Sequence, residues 1–244
     1  MKQYLLVTDL DHTLVGDDVA TQVLNQRLEA ERDRFCFVYA TGRSYASTRN
    51  LMKEKQLLEP DYLIAGVGSE VYQGHCLDST WAELMSANWN RSAIAALAEE
   101  FSALKPQSDG EQNPWKISYF LQPELAAEVI SKLEKEIAKA GFFAQIIYSS
   151  DRDLDILPKR GNKGKAVTYL QKRLNIQSEA AVVCGDSGND ISLFEQDACG
   201  VIVGNAQPEL LKWYRESGKN NHYLARASHA WGMLEGIKYF WGIE

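Results

Sequence analysis

Five apolar runs most constrain how this chain can fold: "YLLVT", "FCFVYA", "DYLIA", "AAVVC" and "GVIV". Most are rich in β-branched or aromatic residues, and they lack clean alternation. A strand with one wet face alternates with period two, so such runs suit strands covered on both faces. Helical patterns separate them. "VATQVLNQRLEAE" follows the first run, "SYASTRNLMKEKQLL" the second, and "NDISLFEQ" follows "AAVVCGD". Strand, loop and helix in repetition predict an α/β domain built on a parallel sheet.

The middle of the chain breaks that rhythm. A helical stretch, "WNRSAIAALAEEFSAL", precedes the strand-like "KISYFL", the helix "PELAAEVISKLEKEIAKAG" and two more strand-like runs, "FAQIIYSS" and "DLDILP". This order predicts an α+β unit over residues 81–158, inserted into a core made of residues 1–80 and 159–244. The polar "KPQSDGEQNPW", with two prolines and a glycine, reads as a loop.

At 244 residues the chain is long enough for a core that needs no disulfide support. The four cysteines, Cys36, Cys76, Cys184 and Cys199, show no paired spacing and read as reduced thiols of a cytosolic protein. A net charge of −7 argues against nucleic acid or an anionic membrane as the main partner. The apolar N-terminal run is cut short by Asp9, too short for a signal-peptide core, and no later segment approaches a membrane span. The expectation is a soluble, cytoplasmic protein.

"LLVTDLDHT" runs an apolar strand straight into Asp9 and Asp11. Residues two apart on extended backbone share a face, so the carboxylates lie roughly 7 Å apart and repel by about 2 kcal/mol at an effective dielectric near 20. A cation, a shared proton or solvent must offset that. Three further polar clusters follow apolar runs or open a helix: "ATGRS", "GNKGKA" and "GDSGND". In a parallel α/β sheet, ligands bind beyond the carboxyl ends of the strands, so the four clusters can converge. Asp186 and Asp190 then join Asp9 and Asp11 in an oxygen-rich group suited to Mg²⁺. With Lys163 and the donors of Thr41 and Gly42, this describes a phosphoryl-transfer site, where cations let an anionic nucleophile approach a phosphate dianion.

"DLDHT" matches the DxDxT motif of the haloacid dehalogenase superfamily. "YATGR" resembles its second motif, Lys163 in "GNKGKA" its third, and "GDSGND" its acidic fourth. A cap inserted between the second and third motifs also fits. More narrowly, "YATGRSY", "EQNPWKISY" and "VCGDSGNDISLFE" resemble the short sucrose-phosphatases of cyanobacteria along essentially the whole chain. Larger plant relatives carry a C-terminal extension, for which a chain ending at Glu244 leaves no room.

The resemblance implies a Rossmann-like parallel-sheet core with an inserted α+β cap that sets specificity. It implies Mg²⁺-dependent hydrolysis of sucrose 6-phosphate to sucrose and phosphate, the last step of sucrose synthesis. Asp9 would be the nucleophile that forms an aspartyl-phosphate, and Asp11 the acid and base at the leaving oxygen and water. Asp9 and Asp186 would ligate Mg²⁺ by side chain and Asp11 by its main-chain carbonyl. Thr41, Gly42, Arg43 and Lys163 would hold the phosphoryl group and substrate, with Asn189 reaching in and Asp190 positioning Lys163 or a metal-bound water. From the cap, Gln112, Asn113, Trp115, Lys116 and Tyr119 are candidates for the sugar. On a strand, Lys116 and Tyr119 point to opposite faces, so not all of these can touch it. Core packing competes for Trp115 and a solvated surface for Lys116. A monomer is expected, and association with sucrose-phosphate synthase stays open.

Rival readings are weaker. "GDSGN" resembles a serine-protease segment, but the four histidines stand in no matching context. "GNKGKA" lacks the first glycine and the hydroxyl of a P-loop, and "GVGSE" has too few glycines for a dinucleotide fingerprint. His12 reads as a packing or solvent residue. A broader sugar-phosphate phosphatase, a phosphomutase or a non-catalytic sugar-phosphate-binding subunit remain as alternatives.

Overall fold

The computed structural model describes residues 2–242. The N-terminal part runs β1 (Tyr4–Thr8), α1 (Asp18–Ala30), β2 (Phe35–Ala40), α2 (Tyr45–Glu54), β3 (Tyr62–Ala65), β4 (Glu70–Gln73), β5 (Cys76–Leu77) and α3 (Ser79–Ser86). The middle contains α4 (Arg91–Glu99), β6 (Lys105–Pro106), β7 (Ile117–Phe120), α5 (Pro123–Lys139), β8 (Ala144–Ser149) and β9 (Asp153–Pro158). The chain then continues through α6 (Lys163–Leu174), β10 (Ala181–Gly185), α7 (Ile191–Phe194), β11 (Cys199–Ile202), α8 (Pro208–Ser217), β12 (His222–Leu224) and α9 (His229–Trp241).

Two sheets result. The larger has the order β12-β11-β10-β1-β2-β3-β4-β5, parallel from β12 to β3 and closed by an antiparallel hairpin. Its central strands are buried on both faces, which is why their sequences do not alternate. On β1, Leu6 joins the cluster under α1 and α9, while Leu5 and Val7 join the one under α6. Val182 and Cys184 of β10 take the first side, and Ala181 and Val183 the second. Fully burying one such side chain stabilises the fold by about 1.5–3 kcal/mol.

The smaller sheet, β6-β7-β9-β8, is antiparallel and has two unlike faces. Ile117 and Tyr119 of β7 and Leu154 and Ile156 of β9 pack against Ile94 and Ala98 of α4 and against α5. The α5 stripe is Ala126, Val129, Leu133 and Ile137, a helical spacing. The opposite face carries Lys116, Ser118 and Phe120 across from Asp155 and Asp153, with Ser118 paired to Asp155 and Phe120 to Asp153.

The structure departs from the sequence reading in a few places. The helix after "AAVVCGD" is a single 3-10 turn followed by the four residues of α7. The helical stretch from Trp89 narrows to α4, whose start is capped by Asn90 accepting from the Ala93 N–H at 3.1 Å. The stretch read as a loop contains the short edge strand β6, where Pro106 is tolerated because an edge residue can do without its N–H. α3, on the other hand, packs Trp81 and Met85 beneath the larger sheet. Among the described residues, no helix is long and apolar enough to cross a membrane.

Candidate active site

Strand order reverses beside β1. β2 and β3 lie on one side of it, β10 and β11 on the other, and a crevice opens at such a switch point. The pairing of Thr8 with Cys184 and the Asp9 N–H bond to the Cys184 carbonyl at 3.0 Å bring Asp9 and Asp186 side by side. Four polar clusters far apart in sequence converge here, as their places at strand and helix ends predict.

Lys163 lies at the centre, fully buried at the first turn of α6. Asn162 caps that helix by accepting from the Lys165 N–H at 2.8 Å, which sets the direction in which Lys163 enters. Gly164 is required next to it, because a Cβ there would lie 1.8 Å from the Ser192 carbonyl oxygen. That close approach seats α6 against the start of α7. The ammonium donates to Asp9 Oδ1 at 2.6 Å, Asp190 Oδ1 at 2.7 Å and Asn189 Oδ1 at 2.5 Å. All three of its protons are used. The second oxygen of Asp190 accepts from the backbone N–H groups of Asp186 and Ser187 at 3.0 and 3.1 Å. Asp186 Oδ1 accepts from Thr13 at 2.9 Å.

Asp9, Asp186 and Asp190 are buried, and a ligand oxygen from each lies within 4.8 Å of the others. Two of these carboxylates, Asp9 and Asp190, share the Lys163 ammonium, and Asp186 lies beside them, so ionising all three leaves surplus negative charge away from water. Burial raises the Asp9 carboxyl above its ordinary range; Lys163 opposes this, and Asp190 and Asp11 add to it. Burial likewise raises Asp186, reinforced by Asp9 and Asp190. Burial alone would lower Lys163, but Asp190 and Asp9 outweigh it and raise the ammonium. A hard divalent cation with oxygen ligands fits this charge deficit and donor set.

Asp11 stands at the rim. Arg43 holds it by both oxygens, through Nε and Nη2, each at 2.7 Å, while Nη1 reaches Ser47 at 3.0 Å. Thr41 is buried beneath the rim, and its hydroxyl accepts from the Arg43 N–H at 3.2 Å. Asn189, whose carbonyl faces Lys163, directs its amide nitrogen toward Gly42.

The smaller sheet roofs a cavity of about 570 Å³ above these residues. Asp9, Asp11, Gly42, Arg43, Asp186 and Asn189 line it from below, and Gln107, Lys116, Phe120, Ser149, Arg152, Asp153 and Asp155 from above. Lys116 is buried: its ammonium donates to the Gly42 carbonyl at 3.2 Å and pairs with Asp155 at 3.5 Å. A solvated surface role for it is therefore excluded. Ser118 donates to Asp155 at 2.5 Å, and Gln107 to Asp153 at 2.9 Å.

The other cap candidates sit elsewhere. Tyr119 packs into the core of the smaller domain. Trp115 packs toward the larger sheet and donates to the Ser86 hydroxyl at 2.9 Å. Gln112 brackets Ser118, donating to its carbonyl at 2.9 Å and accepting from its N–H at 3.0 Å. Asn113 donates to Ser69 at 2.8 Å across the two domains. Lys116 is the one of the five that lines the cavity. No sequence motif marks Gln107, Phe120, Asp153 or Asp155. Period two on β7 and β9 links Phe120 to Lys116 and Asp153 to Asp155, but which face is wet depends on how the cap docks.

The sequence model of the family described as sucrose-6F-phosphate phosphohydrolase matches residues 2–241. The chain is 39% identical over 249 residues to the probable sucrose-phosphatase 2 of Arabidopsis thaliana, covering 97% of this chain and 59% of that relative. It is 36% identical over 245 residues to the mannosylfructose-phosphate phosphatase of Agrobacterium fabrum, covering 98% of this chain and 97% of that one. The sucrose-phosphatase from Synechocystis sp. PCC6803, solved in complex with sucrose and phosphate, is similar with a TM-score of 0.93 and 49% identity, covering 98% of each chain. The chain thus spans about three-fifths of the length of the plant relative it matches.

Proposed function

The chain belongs to the sucrose-6F-phosphate phosphohydrolase family of the haloacid dehalogenase superfamily, and we propose that it hydrolyses sucrose 6-phosphate to sucrose and phosphate with Mg²⁺ as cofactor. The observation that carries this reading is the Asp9–Lys163–Asp190 chain at the floor of a cavity whose roof is a second, polar-faced sheet.

In this mechanism a carboxylate oxygen of Asp9 attacks phosphorus, giving an aspartyl-phosphate, and the sugar oxygen leaves. Asp11, protonated as its fork with Arg43 opens toward the substrate, gives that oxygen its proton. The Asp11 carboxylate then takes a proton from the water that attacks the aspartyl-phosphate at phosphorus, which breaks the bond to Asp9 and frees phosphate and the Asp9 carboxylate. Lys163 exchanges a present partner for a phosphoryl oxygen, and Asp190 keeps its ammonium in place. The Asn189 amide, the Gly42 segment and Thr41 offer donors around the phosphoryl group. Asp9 and Asp186, with the Asp11 carbonyl, would hold Mg²⁺, which neutralises phosphate charge as the nucleophile approaches. Of residues 81–158, the part from α4 to β9 acts as the specificity cap, since Trp81 and Met85 of α3 pack on the larger sheet. Its Lys116, Gln107, Asp153 and Asp155 offer cations, amides and carboxylates to sugar hydroxyls.

A second disaccharide phosphate, mannosylfructose phosphate, is favoured as an alternative substrate by the match along both chains to the Agrobacterium enzyme. The test is phosphate release from sucrose 6-phosphate, mannosylfructose phosphate, fructose 6-phosphate, glucose 6-phosphate and a small aryl phosphate, with Mg²⁺ or excess chelator. Metal-dependent preference for sucrose 6-phosphate supports the reading. Preference for the other disaccharide moves the substrate, broad hydrolysis discards disaccharide specificity, and no release from any of them refutes the phosphatase.

A further inference from the structure

The loop that carries Asp11 is tied to the far end of the chain. His12 has a left-handed backbone, φ 60°, which a residue with a side chain holds only with outside support. Its carbonyl receives two hydrogen bonds, from Asn205 Nδ2 at 2.7 Å and from His229 Nδ1 at 2.9 Å. A carbonyl only accepts, so Nδ1 of His229 carries the proton. Asn205 Oδ1 in turn accepts from the backbone N–H of His229 at 2.8 Å. His229 is the first residue of α9, whose N-cap Ser228 makes no side-chain cap bond. One amide therefore satisfies an open helix end and grips the loop.

Two more contacts complete the clamp. The His229 ring lies so close to Gly16 that a Cβ there would be 2.4 Å from it. Beyond it, Asp17, which caps α1, accepts from Trp231 Nε1 at 3.2 Å. Neither Asn205 nor His229 lines the catalytic cavity.

We propose that His229 and Asn205 are positioning residues for the reaction: by holding the His12 carbonyl they fix the preceding residue, Asp11, in the crevice. This rests on the reading of Asp11 as the group acting at the leaving oxygen.

The test uses the full chain with His229→Ala, Asn205→Ala, His229→Asn and Gly16→Ala. The Asn side-chain nitrogen and His Nδ1 are both bonded to Cγ, so His229→Asn keeps the donor, and Asn tolerates the left-handed backbone that His229 itself adopts at φ 53°. The readouts are kcat and KM on sucrose 6-phosphate, and amide exchange at residues 12–16. His229→Ala, Asn205→Ala and Gly16→Ala are expected to lower kcat by about tenfold to a hundredfold while KM moves by less than about threefold. Exchange at 12–16 should quicken, and His229→Asn should recover both readouts. Wild-type kcat and protection in the alanine variants, or no recovery in His229→Asn, overturns the proposal. Protection lost across the whole chain marks a purely structural role and also overturns it. If the wild type releases phosphate from no sugar phosphate, the phosphatase reading falls separately. The exchange comparison then decides the clamp: local loss and recovery support it, and unchanged protection overturns it.

Discussion

Asp190 holds Lys163 with one carboxylate oxygen at 2.7 Å and the Asp186 and Ser187 N–H groups with the other. Both residues are fully buried. One side chain thereby joins the helix that supplies the cation to the loop that supplies a candidate metal ligand. Removing one partner of such a buried pair leaves the other charge short of compensation, at about 3–5 kcal/mol. Asp190→Ala should lose about that much stability in urea unfolding and most of its phosphate release. A loss under about 1 kcal/mol, against that range, would show that Asp9 and Asn189 suffice to hold the ammonium.

Asp9 should separate stability from turnover. It belongs to a group of three carboxylates beside one ammonium, and an amide in its place keeps an oxygen for Lys163 while removing one negative charge. Asp9→Asn should therefore melt no lower than the wild type and lose more than about a thousandfold in kcat, as expected when a nucleophile is removed. Thermal melting and single-turnover phosphate release check the two halves. Substantial turnover by the folded variant would exclude a covalent aspartyl-phosphate.

The surplus charge around Asp9 and Asp186 also predicts how magnesium affects folding. An ion that binds only the native state stabilises it by RT ln(1 + [L]/Kd), about 2.7 kcal/mol at one hundred times Kd. Adding Mg²⁺ should raise the melting temperature, chelator should reverse the rise, and Asp186→Asn should abolish most of it. An equal rise in Asp186→Asn would place the ion elsewhere.

Much of the core was legible because its signals are local. The unbroken apolar runs report strands buried on both faces, as Leu5 and Leu6 show by packing on opposite sides of the sheet. Asp9, Lys163 and Asp186 each end a strand or open a helix, so the topology alone brings them together. The cap was less legible. Its aromatic candidates Trp115 and Tyr119 flank Lys116 closely in sequence, yet only the docked sheet decides that Lys116 faces the cavity and Tyr119 the cap core. The hold of His229 on His12 joins residues 217 positions apart and leaves no local pattern.

His222 gives a pH test well away from the crevice. It opens β12 and is buried against Phe194 of α7. Its Nδ1 accepts from the Lys219 N–H at 3.0 Å, and its Nε2 faces the Phe194 carbonyl at 3.0 Å. Burial holds its pKa below the ordinary histidine value; the Phe194 bond opposes this, and Lys219 adds to it. The unfolded chain therefore binds the extra proton first as pH falls. The contribution of His222 is fully present above about pH 6.5 and is lost as pH drops from there through the lower native pKa, with a slope of at most about 1.4 kcal/mol per pH unit. Urea unfolding from pH 7 to 5 should show this decline, and His222→Gln should flatten it. An unchanged slope in the variant would assign the decline to other groups.

The placement of the cap side chains makes the last prediction. Trp115 and Tyr119 pack away from the cavity, whereas Gln107 and Asp153 form a hydrogen-bonded pair on its roof. Trp115→Phe and Tyr119→Phe should change the ratio of kcat/KM for sucrose 6-phosphate over a small aryl phosphate by less than about twofold, since neither side chain lines the cavity. Gln107→Ala and Asp153→Ala should lower that ratio by about tenfold or more, because each leaves a sugar hydroxyl or its partner without a hydrogen bond. Lys116→Met should also lower it and should destabilise the fold, since Asp155 would lose the ammonium it faces inside the protein. The aryl substrate isolates the core chemistry, so equal losses on both substrates would move discrimination off this sheet. A fall in the ratio for Trp115→Phe alone would mean that the cap docks differently when sugar is bound.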